Sequence, residues 1–457
     1  MSYVAEDFTS VRPVPPKTAL NLLKLFLEAR RDLLSIWEEK CYRAMFLSSK
    51  LFNRWVFIAN SPDTVQHVLV THNDNYERKS PYMRRALKPL LGDGLFISDG
   101  DTWRARRGML APAFPNLAPY SNAMTSAARE TRERWESMSV GAPLLLLPEM
   151  GRLAAEIISR AMFGNELGQE RAQTLVEGFS DYQAGIEHID LSSFFGLPDW
   201  FSYTPMWKKV ARAAERIHRV VDDIIQQEGR ERRNHNTLLA MLLDARDASS
   251  GKGLTEVQIR NEAIVIFMAG HETTANSLAW TWYLLSQHPR VEARMHEELD
   301  RVLGGRLPEL DDVAELSYTR AVIKESMRLY PPVPILSRQC RNDDVIRDKK
   351  VPAGSIVLVV PWLLQRHEKY WEKPHHFVPE RFTGEWSQLP DKHAYIPFGA
   401  GPRFCLGAAF GITEAVLCMA TLAQRFKPRL KPNHQVGYEC RLTLRPKDGL
   451  PMVLELR

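Results

Sequence analysis

The sequence predicts a mainly α-helical protein with a smaller β-rich part. Three segments, 144–161, 169–230 and 255–288, show the apolar periodicity of helices. Strand-like runs near the two ends of the chain, at 55–59 and 452–456, indicate a small sheet assembled from distant parts of the sequence. Length alone suggests about three domains, but no Gly/Ser-rich linker, low-complexity tract or internal repeat marks a domain boundary.

The composition excludes several classes of protein. The 457 residues are 44% hydrophobic and 25% charged, as in globular proteins. The chain has 60 Lys and Arg residues and 55 Asp and Glu residues, which gives a net charge of +5. The charge is spread along the chain and does not form the basic stripe of a nucleic-acid binder. The five cysteines form no C-x-x-C pair and no zinc-spaced cluster, so the sequence predicts a reducing, cytoplasmic location.

The N-terminal region lacks the features of a membrane anchor. Residues 1–16 are polar and proline-rich, unlike a signal peptide. Charged residues interrupt the leucine-rich run Ala19–Trp37, and no apolar run reaches the ~18–20 residues that span a bilayer. We therefore expect an amphipathic core helix and no transmembrane anchor, with an interfacial anchor as the alternative.

The middle of the longest predicted helix departs from normal helix composition. Thr255 and Gln258 form the pattern of a capping box, and Pro289 ends the run. The sequence Ala-Gly-His-Glu-Thr-Thr occupies 269–274, where the glycine costs about 1 kcal/mol relative to alanine and the threonines are poor helix formers. This departure indicates a functional site, and a polar kink in a packed helix is the alternative.

The segment 398–407 places a cysteine in a bend just before another helical run, 408–426. Free N–H groups and the positive end of the helix dipole favour a thiolate, the form that binds metals. The alternative to a metal ligand is a buried cysteine with a structural role. The segment fits Phe-x-x-Gly-x-Arg-x-Cys-x-Gly and resembles the haem-ligand loop of the cytochrome P-450 superfamily. The positions that carry the resemblance are Phe398, Gly401, Arg403, Cys405 and Gly407. The resemblance implies that Cys405 is the axial thiolate ligand of haem b.

The resemblance also implies the architecture of the chain. The cytochrome P-450 fold is mainly α with a small β-rich lobe (α+β). In this chain it would form a single haem-thiolate domain over 1–457. The β-rich lobe would come from about 40–75 and 333–365 plus 427–457, and the helical lobe from the remainder.

The stretch 269–274 resembles the oxygen-binding groove of the same family. The small residues Ala269 and Gly270 would leave room for a diatomic molecule. Thr273 would turn its hydroxyl towards dioxygen, and Glu272 would relay protons from solvent, because splitting dioxygen consumes protons as well as electrons.

Other motifs resemble the family's cofactor-holding residues. Haem carries two carboxylates, and their burial requires N–H donors and cations. The resemblance assigns this role to Trp103, Arg107, Arg338 and Arg403.

Two further sets of charged residues have different expected roles. Glu325, Arg328 and Arg381 resemble a buried charge triad that holds the cysteine loop without taking part in chemistry. Arg104 and Arg106 are candidates for a basic docking face, with a merely solvated helix face as the alternative.

Apolar residues are expected to line the substrate pocket. By resemblance, Phe96, Val333 and Ile335 would contact substrate, and the aromatic segment 191–207 would form a lid over the entrance. Ordinary core packing is the alternative for Phe96 and for the lid.

The combined motifs predict a haem-thiolate monooxygenase that hydroxylates or epoxidises a small apolar organic substrate with one atom of dioxygen. Two alternatives are a peroxide-dependent hydroxylase and a non-catalytic haem-thiolate sensor, and the Glu272–Thr273 pair favours the dioxygen route. No flavin or iron–sulfur module is recognisable. We therefore expect electrons from a separate ferredoxin-type or flavodoxin-type donor with an NAD(P)H reductase, and a monomeric protein.

Overall fold

Helices carry most of the chain in the computed structural model of the protein. The structure describes residues 9–17, 20–51, 53–164, 169–186, 205–231, 236–248, 250–384, 391–440 and 442–457. Within them the α-helices are α1 (Leu22–Arg31), α2 (Pro62–Gln66), α3 (Asn73–Tyr76), α4 (Pro81–Leu91), α5 (Gly100–Leu110), α6 (Ala118–Glu136), α7 (Leu146–Phe163), α8 (Gln169–Ile186), α9 (Pro205–Glu231), α10 (Leu238–Asp244), α11 (Glu256–Gln287), α12 (Pro289–Leu303), α13 (Ser317–Leu329), α14 (Pro361–Leu364) and α15 (Ala408–Ala423).

The strands are short and number eleven in the described residues. They are β1 (Phe46–Leu51), β2 (Arg54–Ala59), β3 (Pro143–Leu145), β4 (Leu336–Gln339), β5 (Asp344–Ile346), β6 (Lys349–Val351), β7 (Ile356–Val359), β8 (Phe426–Leu430), β9 (Tyr438–Cys440), β10 (Leu444–Pro446) and β11 (Pro451–Leu456). The predicted α+β class with a helical majority is thereby confirmed.

Helix α11 is the axis on which the helical part is built. Its first turn closes a capping box, in which the Gln258 backbone N–H donates to Thr255 Oγ1 (3.3 Å) and the Thr255 N–H donates to Gln258 Oε1 (2.9 Å). Every residue from Thr274 to Leu285 is buried, so this half of the helix is enclosed on all sides. Helices α7, α9, α13 and α15 lie against it.

One sheet joins distant parts of the chain, although it does not include the predicted run at 452–456. Strands β1 and β2 form an antiparallel hairpin, β2 pairs in parallel with β7, and β7 pairs antiparallel with β4. The strand order β1-β2-β7-β4 therefore brings residues 46–59 beside residues 336–359. This sheet has its own buried core, which includes Phe57, Val357 and Val359.

The C-terminal strands differ from the expectation of one β-rich lobe. Strand β11 pairs with β8 and with β3, and β9 pairs with β10, so none of them joins the first sheet. Leu444, Met452 and Leu454 are buried in the large helical core rather than in the sheet core. The physical reason is that an alternating pattern identifies a strand but does not identify its partner.

Helix α1 is shorter than the leucine-rich run that predicts it. The Asn21 side chain accepts a hydrogen bond from the Lys24 backbone N–H (2.8 Å), and the helix ends at Arg31. In the described part of the chain, no helix combines the length and the apolarity that crossing a bilayer requires.

The predicted lid, 191–207, lies almost wholly outside the described residues. Only positions 205–207 fall within them, at the start of α9. Trp207 is partly buried and packs against the helical core.

Candidate active site

The cysteine loop folds back on itself just before α15. The Cys405 backbone N–H donates to the Phe398 carbonyl (3.0 Å), and the Phe404 N–H donates to the Gly401 carbonyl (3.0 Å). Gly401 has φ +70°, and a Cβ atom added to it would lie 1.9 Å from the carbonyl oxygen of Leu69. Only glycine therefore allows the loop to press against the segment His67–Thr71.

The environment of Cys405 acts on its thiol in two directions. The residue has accessible surface, yet burial is the largest influence on the thiol and raises its pKa above the ordinary value. The accessible surface of the residue and the burial of its thiol are compatible, because protein surrounds the sulfur on most sides and leaves one side accessible. The Gly407 backbone N–H and the Arg107 guanidinium lower the pKa, as the sequence suggests, but burial outweighs them. The backbone N–H at the helix start thus favours the thiolate, as expected, although burial acts more strongly in the opposite direction.

The four expected propionate-binding residues cluster around the loop. Arg403 donates to the Ser98 carbonyl (2.6 Å), and its guanidinium lies 4.5 Å from the centre of the Trp103 ring. Burial lowers the pKa of Arg403 to about 10 and that of Arg338 to about 9. Arg107 is half-buried, and the Cys405 thiolate would favour its charge.

Lys79 joins this cluster, although the sequence analysis missed it. Its ammonium group lies 4.5 Å from the centre of the Phe96 ring. Burial, with added repulsion from Arg338 and Arg403, holds the pKa of Lys79 well below its ordinary value. Lys79 follows Arg78 in a charged stretch, and no local pattern distinguishes it from a solvated lysine.

This cluster fits the carboxylates of haem. Within the described residues, no carboxylate lies within ion-pair distance of Lys79, Arg338 or Arg403. The buried Nε atoms of Arg338 and Arg403 also lack a hydrogen-bond partner there. Buried cations need anions or acceptors. The two propionates of haem would supply both beside the Cys405 thiol.

The Glu272–Thr273 pair lies at the accessible part of α11. Thr273 Oγ1 donates to the Ala269 carbonyl (2.6 Å), and Ala269 is exposed whereas the helix residues on either side are partly buried. The Glu272 carboxylate accepts hydrogen bonds from Thr443 Oγ1 (2.7 Å) and from the Gln183 side chain. The acid is thus held between α8 and the C-terminal strands.

Gly270 also serves the packing of two helices. A Cβ atom at this position would lie 2.9 Å from Cδ1 and Cγ1 of Ile158 on α7. Gly270 therefore allows close packing of α7 on α11, and its expected place beside a small molecule stays a prediction, as does that of Ala269.

A buried acid connects α11 to α15. Thr274 Oγ1 donates to Glu414 Oε2 (3.2 Å), and burial raises the pKa of Glu414 well above its ordinary value. The contact brings the Glu272–Thr273 pair to the helix that begins three residues after Cys405. The sequence analysis missed Glu414 because a single glutamate in an apolar helix carries no spacing signal.

The expected charge triad forms in the structure. Glu325 makes two hydrogen bonds of 2.7 Å to Arg328 and lies 3.4 Å from Arg381, and all three side chains are buried. Arg328 Nη1 also donates to the Gln365 carbonyl (2.8 Å), and Gln365 Oε1 accepts from the Ile396 backbone N–H (3.0 Å). Gln365, which the sequence did not reveal, therefore links the triad to the segment that leads into the cysteine loop.

Arg106 is not part of a docking face. Its side chain is 5% exposed and lies 3.5 Å from Asp93 and 3.8 Å from Glu262. Arg104 is 57% exposed but pairs with Asp101 and Glu77. Helical spacing alone could not separate the buried face of α5 from the solvated one.

The expected pocket residues are partly buried. Phe96 and Ile335 pack against the helical core, and Val333 lies in the segment between α13 and β4. This degree of burial suits residues at the edge of a pocket.

Comparison with known proteins identifies the family. The cytochrome P450 family model matches residues 13–449, and the chain belongs to the cytochrome P450 family. It is accordingly a haem-containing monooxygenase, with haem b as cofactor and with dioxygen, an organic substrate and a redox partner as its reactants.

Relatives and solved structures agree with this assignment. Cyclooctat-9-en-7-ol 5-monooxygenase of Streptomyces melanosporofaciens is 33% identical over 406 residues, which cover 88% of this chain and 86% of the relative. Pentalenene oxygenase of Streptomyces avermitilis is 29% identical and covers 83% of each chain. The crystal structure of the cytochrome P450DA heme domain has the same fold, with a TM-score of 0.80, 24% identity and 98% coverage of both chains.

Replacement of Glu325 tests the triad. Glu325→Ala leaves two buried guanidinium groups without an anion, so we expect the free energy of unfolding to fall by about 3–5 kcal/mol and little haem to be retained. Urea unfolding and the haem-to-protein ratio measure both effects. Glu136→Ala is the control, because it removes an exposed ion pair with Arg132 and should cost less than about 1 kcal/mol. Equal losses in the two variants would contradict the role of the triad.

Replacement of two glycines separates close packing from backbone strain. Gly401→Ala introduces both a positive φ and a clash with the Leu69 carbonyl, whereas Gly399→Ala introduces only the positive φ (+77°), because open space surrounds its Cβ position. We expect Gly399→Ala to destabilise by about 1–2 kcal/mol and Gly401→Ala to lose most of its haem. Haem content and thermal unfolding distinguish them, and similar behaviour of both variants would refute the packing argument.

Proposed function

We propose that this cytochrome P450 hydroxylates or epoxidises a small apolar, largely hydrocarbon substrate. It would act in the cytoplasm as a monomer. Its electrons would come from a separate ferredoxin-type or flavodoxin-type donor with an NAD(P)H reductase. The names of the two relatives give substrates that are an alkene and an alkenol. Apolar side chains at Phe96, Val333 and Ile335 support a substrate of this kind.

The observation that carries the proposal is the Glu272–Thr273 pair at the accessible part of α11. A protein that only senses or carries a ligand has no need for an acid and an alcohol at this place. The Glu272 carboxylate is held in place by hydrogen bonds from Gln183 and Thr443, and it lies next to Thr273 in the sequence. Thr273 has a hydroxyl that can leave the Ala269 carbonyl and turn towards a reactant.

The residues around the cysteine loop would hold the cofactor. Cys405 would ligate the iron, with the Gly407 N–H beside its sulfur and Phe398 accepting the Cys405 backbone N–H. The residues that would bind the propionates are Trp103, Arg107, Arg338, Arg403 and Lys79. Bound haem supplies the redox chemistry that splits dioxygen, with one oxygen atom going to the substrate and the other to water.

Proton delivery would depend on side chains of this chain alone. Glu272 would take a proton from solvent and give it to the hydroxyl of Thr273, which would release its own proton towards the reactant. Gln183 and Thr443 would hold the carboxylate in place, because each donates to one of its oxygens. The buried Glu414 would orient Thr274 by accepting its hydrogen bond and so fix the adjacent turn of α11.

The carbon monoxide spectrum tests the ligand assignment. Reduced protein with carbon monoxide should show the strongly red-shifted Soret band of thiolate ligation, and Cys405→His should lose this band. Titration of the wild type with a panel of alkenes, terpenoids, fatty acids and aromatics, followed by the spin-state change, identifies the substrate class. An imidazole-type spectrum in the wild type would overturn the proposal.

Replacement of Thr273 tests the proton route. Thr273→Ala should still bind haem and the best compound of the panel, but product formed per NADPH consumed should fall by about tenfold or more, with the electrons appearing as hydrogen peroxide. Thr273→Ser keeps the hydroxyl and should retain most of the coupling. Unchanged coupling in Thr273→Ala would exclude this role.

A further inference from the structure

The loop that carries Phe96 is fastened to the N-terminal half of α11. The Leu95 backbone N–H donates to both carboxylate oxygens of Glu262, at 3.1 and 3.0 Å. The Glu262 side chain is completely buried. A buried carboxylate that accepts a backbone N–H with both oxygens fixes the position of that peptide group.

The neighbouring residues of α11 hold the same loop. Asn261 Nδ2 donates to Asp93 Oδ1 (3.2 Å). A Cβ atom at Gly92 would lie 2.2 Å from the Asn261 side chain, and one at Gly94 would lie 2.9 Å from Val265 Cγ2. The loop backbone therefore touches the helix over more than one turn and has little freedom to shift while these contacts persist.

The other side of Phe96 faces the cluster of buried cations formed by Lys79, Arg338 and Arg403. Its ring lies 4.5 Å from the Lys79 ammonium group, which is itself close enough to Arg338 and Arg403 to be repelled by them. Phe96 is thus held between two fixed points, Leu95 on the α11 side and Lys79 on the side of the expected propionates.

We propose that Glu262 is a positioning residue that sets the place of Phe96 and thereby the shape of the substrate pocket. This inference rests on the proposed function, because it takes Phe96 as a wall of that pocket. Glu262 touches neither substrate nor cofactor, and it acts through the Leu95 peptide.

The electrostatics of Glu262 give the contact a pH dependence. Burial raises the pKa of its carboxyl from 4.5 to about 7, while the Leu95 N–H and Arg106 act to lower it and Asp93 acts to raise it. If the loop lifts away, water reaches the carboxyl and its pKa falls back towards 4.5. The attached state therefore binds more protons than the lifted state, so a rise of pH through 7 favours lifting.

Two azole probes of different size test the proposal on the haem-loaded protein. Imidazole coordinates iron without reaching the pocket wall, whereas 4-phenylimidazole also places a ring against it. In Glu262→Ala we expect the dissociation constant of 4-phenylimidazole to rise about tenfold relative to wild type and that of imidazole to change less than twofold. Glu262→Gln keeps an acceptor for Leu95 and should stay within about threefold of wild type for both probes.

Matched controls and a double variant exclude a merely structural effect. Glu256→Ala removes an exposed carboxylate from the same helix and should change neither probe. If Glu262 acts through Phe96, the double variant Phe96→Ala with Glu262→Ala should bind 4-phenylimidazole no more weakly than Phe96→Ala alone. Additive losses, or equal losses for the two probes, would overturn the proposal.

A measurement that needs no ligand completes the test. Amide hydrogen exchange of the 92–97 segment should be faster in Glu262→Ala than in wild type. Between pH 6 and pH 8, after correction for the intrinsic exchange rate, this segment should lose more protection in wild type than in Glu262→Gln. Unchanged protection in Glu262→Ala would show that the loop is held by other contacts and would refute the proposal. Failure of the proposed function would appear separately, as a wild-type carbon monoxide spectrum without thiolate character, and the role in specificity would fall with it.

Discussion

A guanidinium or ammonium group that is removed from water needs an anion, and this constraint organises the structure around Cys405. Arg328 and Arg381 share the carboxylate of Glu325, and their remaining N–H groups donate to backbone carbonyls. Lys79, Arg338 and Arg403 have no such carboxylate in the described residues. The first group is complete in the polypeptide alone, whereas the second becomes complete only with an anionic partner. Because an isolated buried charge costs several kcal/mol, the protein should be appreciably more stable with haem than without it.

Helix α11 distributes the functions of the site along its length. Its first half holds the Phe96 loop through Glu262, its centre carries Glu272 and Thr273, and Thr274 connects it to Glu414 on α15. Glu262, Glu272 and Thr274 contact different elements, because successive positions on a helix point in different directions. One rigid element can therefore fix the pocket wall, the acid–alcohol pair and the helix behind the cysteine loop relative to one another.

Sequence reasoning succeeded where several residues act together at a fixed spacing. The cysteine loop, the capping box at Thr255 and the Glu325–Arg328 pair all carry local patterns. It failed where one residue acts alone through a distant contact, as Lys79, Gln365 and Glu414 do, because no local pattern marks such a residue.

The errors have related physical causes. The burial of Arg106 depends on which face of a helix meets a neighbour. The partners of the C-terminal strands depend on tertiary packing. Neither property can be read from the spacing of residues within one segment.

The positions of these residues separate the chemistry of the enzyme from its selectivity. Cys405, Glu272 and Thr273 would act on dioxygen and protons, which are common to every substrate. Phe96 would select the substrate, yet its place is set by the buried Glu262, more than one helical turn from Ala269 along α11. A substitution at Glu262 could therefore alter the choice of substrate without changing a residue that touches either the substrate or the cofactor. Selectivity in this protein would then be encoded partly in the interior, in the contacts that hold a loop to a helix, and not only in the side chains that line the pocket.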